Sequence, residues 1–286
     1  MKFEVACPHS IEEALDCASR FEGSVAYLSG GTDLLLRLQK GEEKAGLVID
    51  ISQIPELAHV ELAEGRIKIG SATTFTRLAK DLSILNNANC LAQAASQIGS
   101  VQIRNRGTLG GNISSASPAG DSLPPLLILD AWLTLIGPEG QRRVSFASFQ
   151  GAQEGLRPRE LIMEIDFSVW NREYISGFHK LGSRTAVSIA RLNMAWIFKI
   201  NKEKNLIKEA RLAVGALAKT PQRLLRIEQS LTNQVINSDL IEKTAEMLTE
   251  TVDELIPGRP SREYKSTAIQ GLAYDMFEGV LGKGCE

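Results

Sequence analysis

The chain has 286 residues, 43% of them hydrophobic and 23% charged, with a formal net charge of −2. This is the composition of a soluble globular protein of one large domain or two ordinary ones. It excludes a nucleic-acid or anionic-membrane binder held by charge, and no apolar run reaches the ~20 residues of a membrane span. Met1–Ser10 has no signal-peptide core, so the cytoplasm is the expected compartment.

The predicted elements begin with a capping box, Ser10 with Glu13, before Ile11, Ala14, Leu15 and Ala18 at helical spacing. Val25–Leu28 is a short apolar run that breaks at Gly30–Gly31, and Thr32 stands where it would cap the helix that follows. Leu47–Ser52 and Arg66–Ser71 read as strands, Thr74–Leu82 and Leu91–Ile98 as helices, and Asp130–Gly137 as a strand before the turn GPEG and RRVSF. Between these lies Arg104–Ser122, RNRGTLGGNISSASPAGDS, which has the periodicity of neither helix nor strand. Glu160–Trp170, Asn193–Ile200 and Ile207–Leu217 are strand-like, and Asp239–Glu254 and Ser261–Leu281 are long helical patterns. Strands followed by helices suggest a separate α+β unit, with a boundary near Asn171–Glu173. Trp170, Trp196 and Phe198 fall in strand-like runs and read as core.

Two strand-to-loop junctions carry adjacent glycines, LSGGTD at 28–33 and TLGGN at 108–112. Paired glycines let backbone N–H groups converge on one point, and the first pair also feeds a helix start, a seat for a phosphate or diphosphate. Taken alone, SGGTD reads first as a tight turn before a helix. GxGxxG and GxxxxGK[ST] are both absent, which argues against a Rossmann dinucleotide site and a P-loop. Asp121, an acceptor-only group, suits sugar or ribityl hydroxyls, or else caps the helix that opens at SLPPLLIL. Cys7, Cys17, Cys90 and Cys285 and the histidines 9, 59 and 179 have no metal-ligand spacing, so no metal site is expected.

Four segments together, LSGGTDLL, IGSATTFTRLA, IGSVQIRNRGTLGGNISSASPAGDSLPPLLILDA and FHKLGSRTAVSIARLNMA, resemble the FAD-binding (medium) subunit of the molybdenum hydroxylases. That family includes xanthine, carbon monoxide and nicotinate dehydrogenases. Weaker likeness continues through VGALAKTPQR and PGRPSREYKSTAI, so it spans nearly the whole chain. The resemblance implies an α+β protein: a p-cresol methylhydroxylase/vanillyl-alcohol oxidase type FAD domain over 1–172, with α/β subdomains of about 1–53 and 54–172. A C-terminal α+β domain over 173–286, a three-stranded sheet plus helices, completes it. By position, Tyr27, Leu28, Ser29, Gly30, Gly31, Thr32, Asp33 and Leu34 would hold the FAD diphosphate. Thr108, Leu109, Gly110, Gly111 and Asn112 would line the cofactor from the other side, and Asp121 would bond its hydroxyls. Ile98, Ile162 and Lys180 would touch the flavin region. Ile98 stands where certain relatives have an aromatic, and GALAKTP replaces the commoner GVAPTP.

The resemblance also implies an oxidoreductase that works as an electron-transfer subunit. Molybdenum cofactor and [2Fe-2S] clusters would sit on partner subunits, since this chain has no cysteines spaced to hold a cluster. Electrons from the iron–sulfur subunit would pass to NAD+, oxygen or a quinone. Lys180 is the candidate cation near the flavin, whereas Arg184 and Arg191 read as solvated surface. Two alternatives stay open: a self-sufficient FAD oxidoreductase, for which no proton-abstracting base stands out, and an assembly subunit that has lost FAD.

Overall fold

The computed structural model describes residues 3–150, 155–170, 173–184 and 187–282. β1 (Glu4–Ala6) leads into α1 (Ile11–Arg20), where the Glu13 N–H donates to Ser10 Oγ at 3.1 Å. The Glu13 carboxylate completes the box one residue early, accepting from the His9 N–H at 2.8 Å. β2 (Val25–Leu28) runs into the first glycine pair and α2 (Leu34–Lys40). Thr32 does not cap α2. The cap position is Asp33, without a side-chain bond, because left-handed Gly31 (φ 72°) delays the helix by a residue. β3 (Leu47–Asp50) stops short of Ser52, whose N–H donates to Asp50 Oδ1 at 2.9 Å.

β4 (Val60–Ala63) and β5 (Arg66–Gly70) form a hairpin with Glu64 and Gly65 both left-handed, at φ 53° and 71°. The segment Thr74–Leu82 is two helices rather than one, α3 (Phe75–Leu78) and α4 (Leu82–Asn87). They part at Asp81, whose carboxylate accepts from the Ser83 N–H at 2.9 Å. α5 (Asn89–Gln97) follows. The stretch 104–122 holds the end of α6 (Val101–Arg106), all of α7 (Leu109–Ser115) and the approach to α8 (Leu123–Ile128), capped at Ser122 rather than Asp121. Helices this short, with Gly110 and Gly111 in one and Pro124 and Pro125 in another, leave no 3.6-residue pattern to read.

β6 (Trp132–Gly137), β7 (Gly140–Ser145), α9 (Phe146–Gln150) and β8 (Leu161–Ser168) come next. After them run β9 (Tyr174–Leu181), β10 (Leu192–Asn201), β11 (Leu206–Gly215) and the two-residue β12 (Gln222–Arg223). α10 (Leu225–Leu231), α11 (Ser238–Leu255) and α12 (Arg262–Gly282) finish the chain. The expected boundary residues Asn171 and Arg172, and Cys285, lie outside the described residues.

Two compact units result, neither continuous in sequence. The first comprises Met1–Ser83, Ser100–Ala116 and Asp130–Ser168; the second comprises Ile84–Gly99, Ser117–Leu129 and Val169–Glu286. The first unit carries a parallel sheet in the order β1-β3-β2 and an antiparallel sheet in the order β4-β5-β8-β6-β7. Residues 160–168 of the strand-like run Glu160–Trp170 therefore belong to this unit, with β8 between β5 and β6. The second unit carries an antiparallel sheet in the order β12-β11-β10-β9. Its third long strand is β9, which pattern reading did not single out because YISGFHKL lacks alternation. Trp196 and Phe198 lie in its core with Ile269, Leu272, Met276 and Phe277 of α12, spaced at helical intervals. Trp170 lies just past β8 and is only part-buried.

One buried ion pair braces the β6–β7 hairpin. Arg142 of β7 donates to both Glu160 oxygens at 2.7 Å, and the Arg157 N–H adds a bond of 2.8 Å. With its side chain 6% exposed, Glu160 is held below the usual carboxylate range by Arg142 first, against the opposing effect of burial. A lowered carboxylate contributes stability above its unfolded-state value and loses it as pH falls through the lower folded value. Glu160→Gln should thus cost about 3 kcal/mol at pH 7, a difference that shrinks in acid below the ordinary glutamate range. Urea unfolding of both proteins across pH 3–7, roughly the span over which glutamate titrates, checks this.

Candidate functional site

In the first unit, β2 delivers the chain into Ser29–Asp33 with unusual backbone closeness. A Cβ on Gly30 would lie 2.0 Å from the Arg106 carbonyl oxygen and 3.0 Å from Gly107 Cα, so only glycine fits. Gly31 then takes the left-handed conformation that turns the chain toward α2. Among the described residues, the N–H groups of Gly30, Gly31, Thr32 and Asp33 donate to no partner. The Ser29 hydroxyl is buried and likewise unpartnered. Tyr27, by contrast, is engaged: its hydroxyl donates to the Arg159 carbonyl at 3.0 Å, and burial pushes it up to about 12. Leu28 supplies a carbonyl to the Ile51 N–H at 2.8 Å, and Leu34 opens α2.

The second glycine pair is built differently. Thr108 caps α7, its Oγ1 accepting from the Gly111 N–H at 3.2 Å. The Leu109 N–H donates to the Thr73 carbonyl at 3.1 Å, that of Gly110 to Ser71 at 2.9 Å, and that of Asn112 to Thr108 at 3.0 Å. A Cβ on Gly110 would meet Ser71 Cβ at 2.5 Å, whereas one on Gly111 would meet only Thr108 Oγ1, at 3.0 Å. Ser71 is itself held by its N–H, which donates at 3.1 Å to the carbonyl of Met163. Met163 is the extra residue where β8 slips against β6, between the pairs Thr134–Glu164 and Leu135–Ile162. Ile162 is buried and lies beside that bulge, paired with Leu135. The N–H groups of Leu109–Asn112 are therefore spent within the chain, and those of Gly30–Asp33 are not.

In the second unit, Asp121 and Lys180 form a buried pair. Lys180 Nζ donates to Asp121 Oδ2 at 2.5 Å and to the Gln97 carbonyl at 3.1 Å, with the side chains 7% and 6% exposed. Asn193 donates to Asp121 Oδ1 at 2.9 Å. Burial pushes the Asp121 carboxyl up, while Lys180 and Asn193 oppose it. Lys180, the candidate cation of the sequence, is thus paired with Asp121. Ile98, half-buried, follows Gln97 at the end of α5. Arg184 and Arg191 are exposed, Arg191 lying over the Tyr264 ring. Sequence reasoning missed Asn193, though a polar side chain at the head of NMAWIFKI was the available signal.

The donor set suits an anion: four consecutive N–H groups, no side chain at two of them, and a spare buried hydroxyl. Residues in the first unit therefore fit the phosphates of FAD. No group of histidine, cysteine, aspartate and glutamate able to hold a metal occurs among the described residues, and none of their helices is long and apolar enough to cross a membrane.

Comparison with known proteins agrees with this chemistry. Residues 1–170 match the FAD binding domain in molybdopterin dehydrogenase, and residues 178–280 match the CO dehydrogenase flavoprotein C-terminal domain. The chain is 30% identical to the nicotinate dehydrogenase FAD-subunit of Eubacterium barkeri, covering 99% of this chain and 98% of that one. It is 34% identical to the xanthine dehydrogenase FAD-binding subunit of Escherichia coli O157:H7, covering 90% and 89%. In fold it matches carbon monoxide dehydrogenase from Hydrogenophaga pseudoflava, with a TM-score of 0.85 at 24% identity over 96% of this chain and 95% of that one. These matches define a flavoprotein subunit of an oxidoreductase, with FAD as its cofactor. The chain belongs to the molybdenum hydroxylase family, as its FAD-binding medium subunit.

The two glycines of the second pair should respond differently to alanine. Gly110→Ala must displace the Ser71 backbone and should cost about 2–4 kcal/mol. Gly111→Ala meets one hydroxyl and gains helix propensity, so its stability should stay within about 1 kcal/mol of wild type. Thermal unfolding of the two variants checks the contrast.

Proposed function

We propose that this subunit takes electrons from an iron–sulfur subunit, itself supplied by a molybdenum-cofactor subunit, and passes them to NAD+, oxygen or a quinone. The single observation that carries the flavin assignment is the run of free N–H groups from Gly30 to Asp33. They would hold the diphosphate, with Ser29 as a further donor and Tyr27, Leu28 and Leu34 fixing the turn. Thr108, Leu109, Gly110, Gly111 and Asn112 would form a wall for the cofactor, rigid because Ser71, Thr73 and Thr108 already hold its amides. Asp121 would accept ligand hydroxyls on the lone pairs that Lys180 and Asn193 leave over. Ile98 and Ile162 would contribute apolar packing.

When bound, FAD supplies the capacity to take electrons singly and release them as a pair. The chain's residues bind and orient it. A self-contained oxidoreductase would need a free base, and Tyr27, Asp121 and Lys180 are each committed to hydrogen bonds within the chain. Partners are accordingly expected, and relatives are named as subunits of nicotinate and xanthine dehydrogenases. Among the described residues Cys7, Cys17 and Cys90 form no disulfide, which accords with work in a reducing compartment, the cytoplasm.

The test is bound cofactor. The purified chain should show a flavin spectrum and release close to one FAD per chain in acid, and Gly111→Val and Asp121→Ala should lower that occupancy. A folded, colourless chain that cannot be reconstituted with FAD overturns the reading and leaves the assembly subunit. Co-purification with iron–sulfur and molybdenum subunits tests the partners.

A further inference from the structure

Lys180, Asn193 and Gly215 stand in one row across three neighbouring strands. β9 pairs Lys180 with Asn193, and β11 pairs Gly215 with the same asparagine. Directly opposed residues of an antiparallel sheet project to the same face, so the row presents a cation, an amide and a gap. Asp121 lies over it, one oxygen taken by Lys180 and the other by Asn193.

The gap is as particular as the groups beside it. A Cβ on Gly215 would lie 2.3 Å from Asn193 Oδ1 and 3.1 Å from Pro124 Cγ. Asn193 is fully buried, and its Oδ1 has no partner among the described residues. Turning the amide over would set that oxygen against the Asp121 carboxylate, acceptor to acceptor, so Asp121 dictates the orientation. A sequence that tolerates an unpaired buried carbonyl to place one N–H on Asp121 has put that N–H to use.

Lys180 alone could not fix the carboxylate. An ammonium is a point charge with three rotatable donors, and a carboxylate held at one oxygen still turns about its last torsion. A second donor on the other oxygen sets the plane. We infer that Asn193, seated by the missing side chain of Gly215, is a positioning residue that fixes the plane of Asp121 so that its remaining lone pairs meet the hydroxyls of FAD, an inference that rests on the flavin-subunit reading. The Gln97 carbonyl on α5 does not substitute, because it is an acceptor and is taken by Lys180.

The test uses Asn193→Leu, which keeps the volume and removes the orphan oxygen with the donor, and Gly215→Ala, which leaves Asp121 and Asn193 unsubstituted but pushes the Asn193 amide aside. Two readouts separate the causes. In the flavin-free chain, the Asp121 carboxyl followed by its 13C resonance should titrate at higher pH in both variants than in wild type. In the folded proteins, FAD should bind about tenfold more weakly in each, the loss expected for one misaligned charge-assisted bond. Gly215→Ala should add nothing further once Asn193→Leu is present, since no amide is left to displace. Unchanged Asp121 titration and unchanged FAD affinity in either folded variant overturn the inference. Failure of wild type to bind FAD sinks the flavin reading instead, and the Asp121 titration still decides whether Asn193 acts on it. Should Asn193→Leu fail to fold, Gly215→Ala carries the same two readouts.

Discussion

The first unit's site depends on one backbone-on-backbone contact, Gly30 against the Arg106 carbonyl. No side chain fits between them, so the two glycine segments are locked at the distance of bare main chain. From there the constraint passes outward by hydrogen bonds. Gly107 accepts from the Phe75 N–H, Thr73 and Ser71 accept from Leu109 and Gly110, and Ser71 donates to Met163 in the β8 bulge. A strand irregularity in a sheet thus fixes a loop several elements away. Rigidity of this kind is what a cofactor needs from its protein, because ordering a loop on binding would cost affinity.

The two glycine pairs look alike in sequence and do different things. Around Gly110 the amides are consumed in holding the chain together; around Gly30 and Gly31 they are left over. The second unit adds a polar patch of another kind, where Lys180 and Asn193 both donate to Asp121 away from water. Buried ion pairs rarely add net stability, since desolvation offsets their attraction. Keeping one over an amide with an unpaired oxygen is more in keeping with a binding role than with folding.

Much of this was legible from residues. The Ser10–Glu13 box, the Val25–Leu28 strand and the long helical patterns at the end of the chain follow from local spacing, and local spacing is what sequence records. The family likeness rested on small residues whose meaning is a close approach, and Gly30 and Gly110 show two such approaches. What escaped reading were features set by distant partners. Thr32 looked like a cap until Gly31 turned left-handed. β9 lacks alternation because Gly177 leaves room for Trp196 across the strand pair. The pairing of Lys180 with Asp121, 59 positions earlier, exists only in three dimensions. Asn193 was hidden in an apolar run for the same reason.

The most direct measurement is amide hydrogen exchange, residue by residue, with and without FAD. The account predicts that Gly30–Asp33 exchange rapidly in the flavin-free chain and slow when FAD is added, while Leu109–Asn112 are protected in both states. New protection at Leu109–Asn112 with Gly30–Asp33 unchanged would contradict it, and would make the second glycine pair the phosphate seat.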